Sequence, residues 1–254
     1  YSSLDFSNVD ATAVEVGSVT ADGSTTTGIT STNDDVTLCA TSITLATGVA
    51  IGTGTLRLSA TTGSITQTGG TIVAQELGAK AATGIDLSSA GNDVDEFAAD
   101  GGTGSITLVD GDGYTIGEVT TAGCFSTTVT GVTTGGDFES CVTTGDIMVT
   151  SAINATGTVR LEATAGNVTQ TASGVITADA LGARANGSIT LNLAANDTNT
   201  FAAESSTGNI AFNDANAVTI DTVTAGTCFA QVIGVTTTGG NGNINVSAAT
   251  DLTV

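Results

Sequence analysis

Residues 63–77 read GSITQTGGTIVAQEL, and residues 166–181 read GNVTQTASGVITADAL. Gly63 answers Gly166 and Gln67 answers Gln170, with one residue inserted in the second stretch. The likeness continues downstream. GIDLSSAGNDVDEFAAD (84–100) answers SITLNLAANDTNTFAAE (188–204), TGSITLVD (103–110) answers TGNIAFND (207–214), and TTAGCF (120–125) answers TAGTCF (224–229). A partial copy stands at the start. Gly28, Gly131 and Gly234 each open a Gly-Ile/Val-Thr triplet at a spacing of 103 residues, which Arg57 and Arg160 share. Self-similarity at a fixed period marks a stacked architecture, in which each unit buries its apolar face against the next.

A shorter beat runs inside the unit. Hexads such as TLRLSA (55–60), SITQTG (64–69), SITLVD (105–110) and YTIGEV (114–119) alternate apolar and polar residues. Alternation puts one face of a strand inside and the other in water. Gly, Asn, Asp and Ser punctuate the joins, where turns need them. Thr makes up about a fifth of the 254 residues, and its branched Cβ favours strands, as do those of Val and Ile. There is no Pro, which a ladder paired on both sides excludes because Pro lacks an N–H.

These features predict an all-β fold, a right-handed parallel β-helix (β-solenoid) with a 103-residue sequence repeat. Rungs of roughly 20 residues give five rungs per unit and about twelve in the chain, a rod on the order of 60 Å long. Residues 1–254 form one continuous solenoid: a partial repeat 1–38, repeats 39–140 and 141–243, and the start of another at 244–254.

The paired segments GSITQTGGTIVAQELGAKAATGIDLSSAGNDVDEFAA and GNVTQTASGVITADALGARANGSITLNLAANDTNTFAA resemble the repeat region of large bacterial exoproteins of the filamentous-haemagglutinin and β-strand-repeat adhesin type. The shared pattern is Gly-x-Ile-x-Gln, a Leu-rich strand, Asn-x-Val and Phe-Ala-Ala. The second copy departs at Val168 and Thr198. The resemblance implies a right-handed β-helix, secretion, a role as stalk or fibre, and no catalytic residues.

Composition excludes several other functions. Net charge is -21, with four cations against 25 acids and no His. Nucleic acid and anionic lipid both require a basic footprint, so neither is an expected partner. No apolar run approaches the roughly 20 residues that span a bilayer, so membrane insertion is not expected. Polysaccharide-cleaving β-helices need carboxylates set among basic and aromatic groups, and with 4% aromatic residues an enzyme is not expected. Tyr1 begins in mid-pattern, which reads as a mature product or an excised piece of something longer.

Four cysteines stand at 39, 124, 141 and 228, none in a CxxC. Cys124 and Cys141 lie close to one rung apart, which predicts a disulfide between them. It leaves Cys39 and Cys228 as buried thiols or as inter-subunit partners. Disulfides suit an extracellular or cell-surface setting. In the DGDG turn, Asp110 and Asp112 are candidate Ca2+ ligands. A solvated turn is the simpler reading, because the second copy, Asn213-Asp214-Ala215-Asn216, loses a carboxylate. Arg57, between Leu56 and Leu58, must point outward, as a surface cation among carboxylates. Five N-x-Ser/Thr sequons occur, at Asn154, Asn167, Asn186, Asn196 and Asn245.

Strand patterns at 3–16 and 244–254 show no cap, and open solenoid ends invite strand addition. The functional expectation is therefore a non-enzymatic rod of a bacterial extracellular filament, surface fibre or adhesin stalk that self-associates head to tail. The alternative is an adhesin module that binds calcium or host or surface glycans.

Overall fold

A computed structural model describes residues 3–7, 12–240 and 242–254. All regular structure among them is β, and 27 strands join one sheet whose pairings are all parallel. The chain winds as a β-solenoid of about 9 turns. The reason for parallel stacking is visible in the register. Ile43, Ile65, Ile85 and Ile106 are successive partners, spaced 20 to 22 residues apart. Val36, Leu56, Leu77, Phe97 and Ile116 form a second such column. Both columns face the lumen and are buried throughout. Alternation within each strand thus becomes an apolar interior of like residues on like. Phe201 and Phe212 stack there at 4.0 Å, and Phe97 meets Tyr114 edge to face at 6.1 Å.

The turn count is lower than the twelve rungs expected from sequence. Each unit holds four stacked levels, not five, because part of its length leaves the rod. Tyr114–Ile116 and Val132–Thr134 both pair with the one strand Asp93–Asp100. Between them an antiparallel hairpin, Glu118–Val119 against Val129–Thr130, projects outward. The hexad 114–119 is therefore two strands, parted at Gly117. The hairpin recurs as Thr222–Val223 against Val232–Ile233, and as Ser18–Ala21 against Ser24–Thr27.

The repeats are also rotated relative to one another. Asp35–Ala40 lies under Thr55–Ala60 on one face, whereas its counterpart Phe138–Val142 stacks on Ile106–Asp110 of the adjacent face. Each unit starts one face round from the last.

Corners need partners for backbone groups that turn away from the ladder. Asn92, fully buried, supplies them for one corner across three levels. Its Oδ1 accepts from Gln67 Nε2 (2.8 Å) and the Ile72 N–H (2.9 Å). Its Nδ2 donates to Gln67 Oε1 (3.0 Å) and to the Leu87 and Val109 carbonyls (both 3.1 Å). Asn196 and Gln170 repeat the arrangement. The Gln and Asn of the sequence pattern are thus one polar bracket, and Asn196, being buried and engaged, is no glycan acceptor in the folded chain. Replacing Asn92 by Ala strands several buried backbone groups and should cost about 2–4 kcal/mol, whereas replacing exposed Asn154 should cost under about 0.5 kcal/mol. Chemical denaturation of the two variants checks this; equal midpoints would contradict it.

Candidate functional site

The distinctive surface is where the two long hairpins fold back over the rod. Beneath the first runs an outward-facing column, Asp5, Thr37, Arg57, Gly78 and Ala98, one residue per level. Beneath the second runs Thr107, Glu139, Arg160, Gly182 and Ala202. From the hairpin neck outward both columns run alanine, glycine, arginine. Near the neck, Val119, Phe125 and Val129 close over Ala98, and Val223, Phe229 and Val232 over Ala202. Glycine is required next in line. A Cβ on Gly78 would stand 2.7 Å from Val119, and one on Gly182 would stand 2.7 Å from Phe229. The pairs Leu77-Gly78 and Leu181-Gly182 are the sequence trace of this close approach.

Further out, the two arginines receive the hairpin backbone. Arg57 Nε donates to the Thr120 carbonyl (2.7 Å) and its Nη1 to Asp35 (2.9 Å). Arg160 does the same to Thr224 (3.0 Å) and Asp137 (2.7 Å). Both guanidiniums are buried, so the reading of Arg57 as a solvated surface cation is corrected: it points outward, but under a cover. At Asp35, burial raises the carboxyl pKa, but the Thr55 N–H and the Arg57 guanidinium outweigh it and hold the group below its ordinary value.

At the tips the hairpins are tied down covalently. The disulfides are Cys39–Cys124 and Cys141–Cys228, not Cys124–Cys141, and no described cysteine is left free. The expected pairing took a chain separation for one rung. Cys124 is on the hairpin, not on a rung, and has been carried back four levels, past Thr133, Asp100, Lys80 and Ser59 to Cys39. The repeat held the signal: Cys39 and Cys124 recur as Cys141 and Cys228, so pairing within a unit is the one arrangement that both copies can share. Loops of 85 and 87 residues restrict the unfolded chain by about 4–5 kcal/mol each in the chain-entropy model.

A carboxylate also lies against a glycine of each tip. Glu139, buried, accepts the N–H groups of Thr227 (2.9 Å), Cys228 (2.6 Å) and Phe229 (2.8 Å). In the first unit Thr37 takes the place of Glu139, and Asp5, one level earlier, lies against Gly123 as Glu139 lies against Gly226. Successive backbone N–H groups make a concave anion seat. Glu139 with Cys141 and Cys228 is also the one cluster of metal-ligand type among the described residues, but both sulfurs are spent in a disulfide.

Asp110 and Asp112 lie in one turn, where their carboxylates interact with one another. Asp110 is buried and turned inward, its two oxygens accepting the N–H groups of Val94 and Asp112 (both 3.1 Å). Asp214 brackets the second copy in the same way, at Thr198 and Asn216. Burial, together with the hydrogen bond and the charge of the Asp112 carboxylate, pushes the Asp110 pKa up to about 7, against the pull of those N–H donors.

The chain matches no family model, no curated protein and no solved structure. The two disulfides place the folded chain in a non-reducing environment. Among the described residues no helix is long and apolar enough to cross a membrane.

Two expectations follow. Both hairpins hold an apolar patch, an arginine contact and a disulfide, but the second has three N–H bonds to a buried carboxylate as well. Mild reduction should therefore open 117–131 to protease before 221–234, and Glu139→Ala should abolish that order; mapping the first cleavage products decides it. Secondly, Asp110 has its pKa raised on folding, so the folded chain holds a proton that the unfolded chain loses above about pH 4. Its contribution is full below that pH and is lost as pH rises through about 7. Asp110→Asn should flatten the fall of melting temperature between pH 5 and pH 8, and an unchanged slope would contradict this.

Proposed function

We propose that the chain is a non-enzymatic structural rod of an extracellular filament, surface fibre or adhesin stalk, and that it assembles end to end. The observation that carries this is the placement of exposed apolar side chains. Among the described residues, Leu4, Phe6 and Val19 lie at the first level, Ile233, Ile244, Leu252 and Val254 at the last, and Met148 alone lies between. Leu4, Ile244 and Leu252 are partners of Val36, Ile210 and Val218, which face the lumen, so they are lumen positions left exposed among the described residues.

The same levels carry open backbone edges. Among the described residues, Ser3–Ser7 and Val14–Val16 pair on one side only, as do Ile244–Ala248 and Leu252–Thr253. Stacking one end on the other would satisfy both the edges and the apolar lumen. The acidic flanks, at a net charge of -21, oppose side-by-side aggregation and leave the ends as the attractive surfaces. The disulfides and the family resemblance both fit an extracellular place of work.

Sedimentation velocity and electron microscopy test the reading. The chain should form concentration-dependent linear oligomers, and Ile244→Lys with Leu252→Lys should leave it monomeric with its melting temperature little changed. A wild-type chain that stays a monodisperse monomer at high concentration would refute it.

A further inference from the structure

The second hairpin is tied to the rod by two cysteines that stand beside a carboxylate. Glu139 and Cys141 are two residues apart on the strand Phe138–Val142, so both side chains leave its outward face. Phe138 and Ser140, the partners of Ile106 and Leu108, alternate with them toward the lumen. Cys228 comes down on the outward pair from the hairpin tip. One oxygen of Glu139 and the two sulfurs lie within 4.8 Å of one another. No other set of three ligand-type side chains among the described residues does so.

The carboxylate is held ready to act as a ligand. Its Oε1 accepts the N–H groups of Cys228 (2.6 Å) and Phe229 (2.8 Å), whereas Oε2 accepts only that of Thr227 (2.9 Å) and has a lone pair to spare. Bonds of this kind orient the ligands of metal sites and hold them in place. A cleft of about 330 Å³ reaches Glu139 between Arg160 and the hairpin residues Gly226 and Thr227, which gives an ion and a water a way in. The first tip has the same pair of cysteines but not the carboxylate. Thr37 stands two residues before Cys39, where Glu139 stands before Cys141.

We propose that the second hairpin tip is a redox-gated zinc site, in which Cys141, Cys228 and Glu139 hold the ion once the disulfide is reduced. Every chain passes through the reduced state before its disulfides form. A trialkylphosphine reaches the same state: phosphorus takes the oxygen of a water and becomes phosphine oxide, and the two protons of that water go to the two sulfurs. Zinc then displaces both thiol protons. With the bond open, the sulfurs can part until each stands about 2.3 Å from the ion, and a water from the cleft completes the tetrahedron. Two thiolates with one carboxylate suit zinc better than calcium or magnesium. The same three side chains thus hold the hairpin down by a covalent bond when oxidised and by the ion when reduced. The first tip has the covalent lock alone. None of this depends on end-to-end assembly.

Two double variants separate the tips. Cys39→Ser with Cys124→Ser leaves thiols at the second tip only, and Cys141→Ser with Cys228→Ser leaves them at the first. Each protein is reduced with tris(2-carboxyethyl)phosphine without air and titrated with Co2+, then Zn2+. The second-tip protein should take up one Co2+ with a thiolate charge-transfer band in the near ultraviolet and lose that band to Zn2+. Zn2+ should also restore its protection of 221–234 from protease. The first-tip protein should bind at least tenfold more weakly and gain no protection of 117–131. Glu139→Gln in the second-tip protein keeps an acceptor for the N–H groups but loses the anionic ligand, and should weaken Zn2+ at least tenfold. Equal affinity at the two tips, or no loss in Glu139→Gln, would overturn the proposal. The sheet signal in circular dichroism should survive reduction, because the ladder of the rod does not run through the hairpins. Its loss without recovery on adding Zn2+ would overturn the proposal as well.

Discussion

In a parallel solenoid the backbone of each rung is satisfied only by the rungs on either side of it. This constraint reaches every other feature of the molecule. It excludes Pro from a chain of 254 residues, because one missing N–H breaks the ladder. It obliges polar side chains to enter the interior at corners, where Asn92, Gln67 and Asp110 and their counterparts Asn196, Gln170 and Asp214 bond the backbone groups that the ladder leaves over. It also makes the first and last rungs unlike all others, since each has one side with no neighbour among the described residues.

The hairpins answer a different problem. A rod of outward-facing Thr, Asp and Ser has little to pack against on its flank. A hairpin laid along the flank adds a second, external core, with Ala98 and Ala202 at the neck and a buried arginine further out. Both columns run alanine, glycine, arginine, and the hairpin above meets each of the three in turn. The disulfide then joins residues four levels apart, so it resists both the lifting of the hairpin and the separation of the rungs beneath it. For a protein proposed to work as a fibre, a tie running along the rod is better placed than one within a rung.

Much of the fold was legible in the residues. The period and the alternation point directly to a solenoid, and the repeated Gln67/Gln170 and Asn92/Asn196 are its corner brackets. The chain has fewer rungs than its length suggests because residues 117–131 and 221–234 leave the winding as hairpins. Their composition is as rich in Thr, Val and Gly as the rungs, so nothing local separates them from rung strands. The disulfide pairing failed for the same reason. The carboxylate seats at Asp5 and Glu139 left no trace, because Asp5 and Glu139 come from different levels and occupy non-equivalent positions in the repeat.

The sequence by itself determined the class of structure, since period and alternation are properties of neighbours along the chain. A stacked sheet turns them directly into columns of like residues facing the lumen. Only the tertiary structure decided which segments leave the rod, which cysteines meet, and that Arg57 and Arg160 are covered. Those outcomes depend on a hairpin returning across four rungs to residues some 60 to 90 positions earlier in the chain. The physical reason is that in a rod wound from near-identical rungs, the distance along the chain fixes the level of a residue only while the chain stays on the rod.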